Sequence, residues 1–447
     1  MQLHRSSRPV GYVRFPEDFL WGTATAAHQV EGGNHNNDWW RWEGTPGHIR
    51  GGDRSDPACQ WWAGRAEEDF ARAAALGQNA HRLSIEWSRI EPRPGQWDGT
   101  AIARYRRMLM ALRRHDLTPL VTLHHFTNPI WLADRGGWEM VGVVTLFERY
   151  VTRAVEALGD LVDFWCTINE PTVYALSAYG TGYWPPGKRS ARLGLQVMKN
   201  LLLGHAAAYR AIHRLQPAAR VGLAHHVRGV APADARSPLD RWAASIRDWL
   251  SNRLVPEAVM SGRLRFPLGK GERVPGLAGS LDYWGINYYH VDHIAFAPLR
   301  PDLFFQRIVP AEVPPDYPIW FGRTAPEGLY RFLKRFAAYG KPIYVTENGR
   351  LDFHDEHRPR YLVEHLRAVG RAIAEGVDVR GYFYWSLVDN FEWAEGYQAP
   401  FGLIAVDFAT QERRVKRSGE LYGAIAQARE IHPDLVAPYL DETAGPS

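Results

Sequence analysis

Eight short runs rich in β-branched and aromatic residues are spread along the whole chain, each followed by a longer stretch with apolar residues at helical spacing. That alternation constrains the fold more than any other feature. The runs cover residues 19–25, 79–87, 118–126, 164–171, 220–227, 281–289, 341–349 and 379–390. Helical patterns fill the gaps at 65–77, 100–115, 143–158, 204–215, 239–260, 327–339 and 360–375. Strand and helix in regular succession predict a parallel sheet, and eight is the number of strands that closes an α/β (β/α)8 TIM barrel. A length of 447 residues suits one large barrel or two ordinary domains. No Gly/Ser-rich or Pro-rich linker, low-complexity segment or repeat divides the chain, so one domain over 1–447 is expected. The irregular regions 32–57 and 290–323 follow the first and sixth runs, where a barrel carries substrate loops.

With 45% hydrophobic and 23% charged residues, the chain has the make-up of an ordinary folded protein with a large core. A net charge of +4 is too slight to imply a nucleic acid or membrane partner. The arginines from Arg104 to Arg114 alternate with Tyr105, Met108, Leu109 and Leu112, which reads as the solvated face of an amphipathic helix rather than a phosphate-binding patch. Two cysteines, Cys59 and Cys166, make neither a disulfide framework nor a metal-ligand spacing. Residues 1–10 are polar and basic, and no run of 18 apolar residues occurs. A soluble, cytoplasmic protein is the expectation.

The unusual polar residues gather at the C-terminal ends of the predicted strands. Gln29 follows the first, Arg82 and Glu86 lie on the second, and His124, His125 and Asn128 end the third. Asn169 and Glu170 end the fourth, Asn287 and Tyr289 the sixth, and Glu347 and Asn348 the seventh, while Trp385 precedes Asp389, Asn390 and Glu392 at the eighth. In a barrel those ends converge on one pocket. Glu170 and Glu347 would then face each other across it, and a pair of carboxyl groups is what glycoside hydrolysis requires, one to protonate the leaving oxygen and one to attack the anomeric carbon.

Thr167-Ile168-Asn169-Glu170-Pro171 resembles the acid/base motif of family 1 glycoside hydrolases, and Tyr344-Val345-Thr346-Glu347-Asn348-Gly349 resembles that family's nucleophile motif. The stretch from Phe15 to Thr25, with Gln29 and Glu31-Gly32, is similar to its N-terminal signature, and the stretch from Tyr384 to Trp393 to its eighth-strand segment. The resemblance implies a retaining β-glycosidase, most simply a β-glucosidase, with Glu170 as acid/base and Glu347 as nucleophile. It also implies Arg82 as support for the nucleophile, and Gln29, His125, Asn169, Asn287, Tyr289, Trp385, Glu392 and Trp393 as substrate-binding residues. Amide, imidazole and carboxylate groups suit sugar hydroxyls, and an aromatic plane suits the C–H face of a pyranose. Arg82 and Tyr289 are expected to keep Glu347 ionised, and Glu170, facing that charge, to hold its proton.

Glu392 would repel a 6-phosphate, so neutral sugars are expected. In the family a tryptophan commonly follows the third-strand histidine; here Phe126 does, and it is left out of the binding set. Trp320 stands two positions from where many members carry an aglycone platform and is the aglycone candidate. Gly269-Lys270-Gly271 lacks the spacing of a phosphate loop, His124-His125 and His225-His226 point alternate residues to opposite faces, and the segment from His354 to His357 reads as a solvated loop. No metal or cofactor is expected, and the expected partners are small soluble β-glycosides. Predominant transglycosylation, or a sugar-binding relative without catalysis, are the alternatives; relatives of the second kind usually lack one of the two carboxylates. Most of the 18 tryptophans are expected in the core or at the barrel rim.

Overall fold

In the computed structural model, which describes residues 11–300, 303–310 and 322–440, each of the eight runs contains one strand of a closed parallel barrel. The strands are β1 (Leu20–Ala24), β2 (Ala80–Ser84), β3 (Thr118–His124), β4 (Phe164–Asn169), β5 (Arg220–His226), β6 (Tyr283–Asn287), β7 (Ile343–Asn348) and β8 (Val379–Trp385). They pair in chain order, and β8 closes on β1 with Tyr382 opposite Trp21. Each is shorter than its run because the run's last residues leave the ladder and turn toward the barrel mouth.

The register shifts where the site emerges. It slips between Cys166 and Asn169 against β5, between Ile286 and Asn287 against β7, and between Val345 and Asn348 against β8. Such irregularities re-aim side chains at a barrel rim. The opposite end is plugged by Phe164, Tyr283 and Tyr344, whose ring centroids lie 4.8–5.3 Å apart. Gly222 makes room for that plug, since a Cβ there would stand 2.4 Å from the Tyr283 ring.

Helices surround the barrel with their apolar faces inward. The first, α1 (Ala66–Ala75), buries Phe70 and Ala73. The second, α2 (Gly99–Arg114), is capped by Asp98, which accepts from the backbone N–H of Thr100 and Ala101, and buries Tyr105, Met108, Leu109 and Leu112. Its arginines mostly pair outward, as Arg106 does with Asp160, but Arg104 turns inward to Glu67 and to the carbonyls of Trp61 and Trp62. The basic stretch is thus partly a solvated face and partly internal. After α3 (Val143–Leu158), α4 (Ala191–Leu215) begins thirteen residues earlier than its pattern indicated. Gly194, Asn200 and Gly204 weaken the helical signal there, yet Gly194 packs under the Ala175 carbonyl and Gly204 under the Trp138 ring. The expected helix at 239–260 is interrupted: α5 (Pro238–Asp248) passes through a wider turn, Trp249–Arg253, into α6 (Leu254–Ser261). Pro256 has no N–H to offer the Asn252 carbonyl.

α7 (Pro326–Ala337), α8 (Arg358–Ala374) and α9 (Arg417–Ala428) complete the ring. The regions expected to be irregular carry structure, with a helix at Asp38–Glu43 and strands Val291–Phe296 and Gln306–Val309 in a small sheet with Gly229–Pro232. The segment from His354 to His357 is a loop with His354 and Glu356 exposed, as expected, while Asp355 within it accepts from Ser418 and Arg358. Val13–Arg14, before β1, pairs antiparallel with Glu430–Ile431, after α9. The Tyr422 hydroxyl of α9 donates to the Gly22 and Tyr382 carbonyls, bolting β1 to β8. Among the described residues no helix is long and apolar enough to cross a membrane.

Candidate active site

At the C-terminal ends of the strands lies an open cavity of about 910 Å³, counting its mouth. Its wall includes Glu170 after β4, Glu347 on β7, His125 after β3, Tyr289 after β6, Trp385 on β8, and Glu392 and Trp393 beyond β8. Asn169 also reaches it. Of the eleven residues expected to catalyse, bind substrate or support the nucleophile, the strand ends bring eight to the cavity wall.

Three do not line it. Arg82, Asn287 and Gln29 are buried behind the wall and act on the residues that do. Arg82 donates from Nη1 to Glu347 Oε1 and from Nη2 to Asn169 Oδ1 at 2.7 Å. Asn287 donates from Nδ2 to Glu170 Oε1 at 2.8 Å and to Asn169 Oδ1 at 3.1 Å. The two carboxylates are thus joined by one buried chain of donors, Glu347–Arg82–Asn169–Asn287–Glu170. Tyr289 completes the hold on Glu347, its hydroxyl donating to Oε2 at 2.7 Å.

This chain fixes orientations beyond itself. With Asn169 Oδ1 accepting twice, its Nδ2 faces His125 Nε2 at 3.0 Å as a donor. Burial first, then the Arg82 charge, holds His125 well below the usual imidazole range, so the ring is neutral and accepts at Nε2. The proton then sits on Nδ1, a buried donor with no protein partner among the described residues. Gln29 likewise is set by what it faces. Its Nε2 donates to Asn390 Oδ1 at 2.9 Å and to Glu392 Oε2 at 3.0 Å; the Asn390 amide nitrogen is committed to Ser386 and Val388, so its oxygen faces Gln29 as an acceptor and a flipped Gln29 amide would lose that bond.

Burial dominates the titration of the site. It pushes Glu392 up to about 8, against donation from Gln29 and Trp385 and with help from the Glu347 and Glu395 charges. It likewise raises Glu347 to about 7; Arg82 and Tyr289 oppose the rise and the Glu170 charge adds to it. Glu170 feels the same burial, but His226, Asn287 and Arg82 bring it below the ordinary carboxylate range. This differs from the expectation for Glu170, which took no account of His226, whose Nδ1 lies 3.6 Å from Glu170 Oε1. Burial also depresses His226 itself, so at neutral pH the ring carries no charge with which to hold Glu170 down. Burial and their mutual repulsion make the two carboxyls share one proton. Glu347 has a guanidinium and a hydroxyl donating to its anion, whereas Glu170 has one amide; the shared proton therefore resides on Glu170.

Several wall residues escaped the sequence reading. Phe126, which was set aside, packs against Trp184 and Trp393 with centroids 4.8 and 5.2 Å away. Tyr183, Trp184, Arg228, His290, Glu395 and Phe401 also face the cavity, and nothing in their local pattern marks them. His226 ends β5 as His125 follows β3, and that position was the available signal. Phe126, Glu170 and Trp393 share a further property, φ values of 72°, 44° and 49°, left-handed conformations that cost a non-glycine residue energy and cluster at functional sites. Glu86, His124, Asn128, Asn348 and Asp389 end their strands but turn inward; Asn348, for example, bonds Tyr288, Tyr361 and Tyr382, and Asp389 pairs with Lys416. Trp320 lies outside the described residues.

The model of glycosyl hydrolase family 1 matches residues 12–431. β-Glucosidase A of Thermotoga maritima is 33% identical, over 93% of this chain and 98% of its own, and a β-galactosidase of Pyrococcus woesei is 31% identical, over 89% and 94%. Among solved structures, a β-glycosidase from Pyrococcus horikoshii matches with a TM-score of 0.88 at 38% identity, covering 96% of this chain and 99% of that one. The β-glucosidase of Thermotoga maritima in complex with castanospermine matches at 0.87 and 32% identity, covering 93% and 99%.

Proposed function

The chain belongs to glycosyl hydrolase family 1, and from that premise we propose that it is a retaining β-glucosidase in which Glu170 is the acid/base and Glu347 the nucleophile. The observation that carries the reading is the buried donor chain that ends on both carboxylates and lies behind one cavity. Glu170 gives its proton to the glycosidic oxygen while Glu347 attacks the anomeric carbon, so the C–O bond to the leaving group breaks as an ester to Glu347 forms. The Glu347 charge is thereby lost, the Glu170 carboxylate no longer faces an anion, and it takes a proton from the water that opens the ester. Glucose leaves with its configuration retained.

Around the sugar, the His125 ring, the Glu392 carboxyl and Asn169 are polar partners for hydroxyls, and the Trp385 and Trp393 rings are apolar planes. Substrates would be terminal β-D-glucosyl residues of cellobiose, short cello-oligosaccharides and aryl or alkyl glucosides. Related β-galactosides and β-fucosides would be secondary substrates, in keeping with the similarity to a relative named β-galactosidase. A sugar hydroxyl can replace water in the second step, giving transglycosylation. Buried free cysteines support action in a reducing, cytoplasmic setting.

The test is a pair of variants assayed on glucosides of different leaving groups. Glu170→Gln should lower kcat/KM for cellobiose by about 10²–10⁴ and for an activated aryl glucoside much less, because a good leaving group needs no proton. Glu347→Gln should lower both alike. Equal losses for both substrates in Glu170→Gln would contradict the assignment.

A further inference from the structure

The side of the cavity beyond Glu170, away from Glu392 and Trp393, carries more positive than negative charge. His226 stands against Glu170, and two residues further on Arg228 reaches the same wall, as does His290. Behind them Asp292, buried, accepts from Arg228 Nη1 at 2.8 Å on one oxygen, and its other oxygen lies 3.2 Å from His290 Nε2. Arg247 of α5 adds a second guanidinium, with its Nε buried and without a hydrogen-bond partner among the described residues. Burial and the neighbouring Arg228 charge bring Arg247 down to about 10, while Asp292 opposes the shift. Asp292 is the one carboxylate among the described residues in ion-pairing distance of Arg228 or His290. Among the described residues, one anion against two guanidiniums leaves a net positive charge even with both imidazoles neutral. Glu395, across the cavity, is engaged by Tyr183 and Arg50 and does not supply the missing charge.

An acid that protonates the leaving oxygen has the leaving group beside it, so this basic wall faces the aglycone. We propose that the aglycone subsite takes a carboxylate-bearing leaving group or acceptor, with Arg228 as its principal partner and His290 and His226 beside it. The inference rests on the glycosidase reading above and names the substrate class of that site. A guanidinium offers a planar fork that matches a carboxylate, and one unit of negative charge balances the excess. A dianionic group so close to Glu347 and Glu170 would exceed it.

The experiment compares two β-glucosides that differ only at the far end of the aglycone, 4-carboxyphenyl β-D-glucoside and its primary amide, at pH 7. Their leaving groups differ intrinsically, so the quantity read is the carboxylate-to-amide ratio of kcat/KM in each enzyme. Arg228→Gln should lower that ratio about tenfold, and Arg228→Lys should restore part of it. In the wild-type enzyme the ratio should fall between about 0.01 and 0.5 M salt, a readout that does not depend on how the variants fold. A ratio unmoved by salt and equal in the wild type and Arg228→Gln overturns the inference while leaving the glycosidase intact. Cleavage of neither glucoside contradicts the glycosidase reading, and the inference falls with it.

Discussion

Tyr289 donates its hydroxyl to the carboxylate that must be ionised to attack, at 2.7 Å in a buried site. The bond stabilises the charged form and so lowers the Glu347 pKa; without it the pKa rises. Tyr289→Phe should therefore move the acidic limb of the kcat/KM profile to higher pH and lower the plateau about tenfold, since a hydrogen bond to a charged group is worth about 1.5–3 kcal/mol. A profile of unchanged shape would show that the hydroxyl does not set the charge of Glu347. At this scale the sequence is legible where chemistry and position coincide. Glu170, Glu347, Asn169, Asn287, Tyr289 and His125 each end a predicted strand, and each lines the cavity except Asn287, which bonds Glu170 and Asn169 from behind the wall. His226 satisfies the same criterion by position, as the last residue of β5, while its neighbour His225 points to the other face. Tyr183, Trp184 and Arg228 sit on loops, where no period announces which way a side chain faces.

Elements follow from periodicity where the pattern is unbroken and from caps where it begins. Asp98 accepts from two backbone N–H groups at the start of α2, at 2.7 and 3.1 Å. Asp98→Ala should therefore destabilise the protein by about 1 kcal/mol without altering kcat/KM, since the helix lies on the barrel's outer layer. Chemical denaturation checks this, and an unmoved midpoint would contradict it. The α4 helix shows the limit of the periodic signal. Gly194 and Gly204 look like interruptions, but both are places where a side chain would crowd a neighbour, at 3.2 Å from the Ala175 carbonyl and 3.0 Å from the Trp138 ring. Tertiary contact outweighs propensity there. The break at 249–253 was equally invisible, although Pro256 marked where the ladder lacks a donor.

For the whole molecule, one topological fact organises the site: in a closed parallel barrel every strand delivers its C-terminal end to the same face. Residues far apart in the chain, such as Gln29 and Asn390, meet because β1 and β8 are neighbours. Strand count and order could be read from alternation alone, and hence the meeting of the two glutamates. The depth of the cavity, the small sheet beside it and the basic aglycone wall depend on how long loops pack, which alternation does not encode. The central claim is that Glu347 attacks and Glu170 assists on one cavity, and the anomer first released from 4-nitrophenyl β-D-glucoside tests it most directly. Proton NMR read before mutarotation should show β-glucose first, as double displacement through a glycosyl-enzyme requires. α-Glucose as the first product would mean that water attacks directly, and Glu347 would not be the nucleophile.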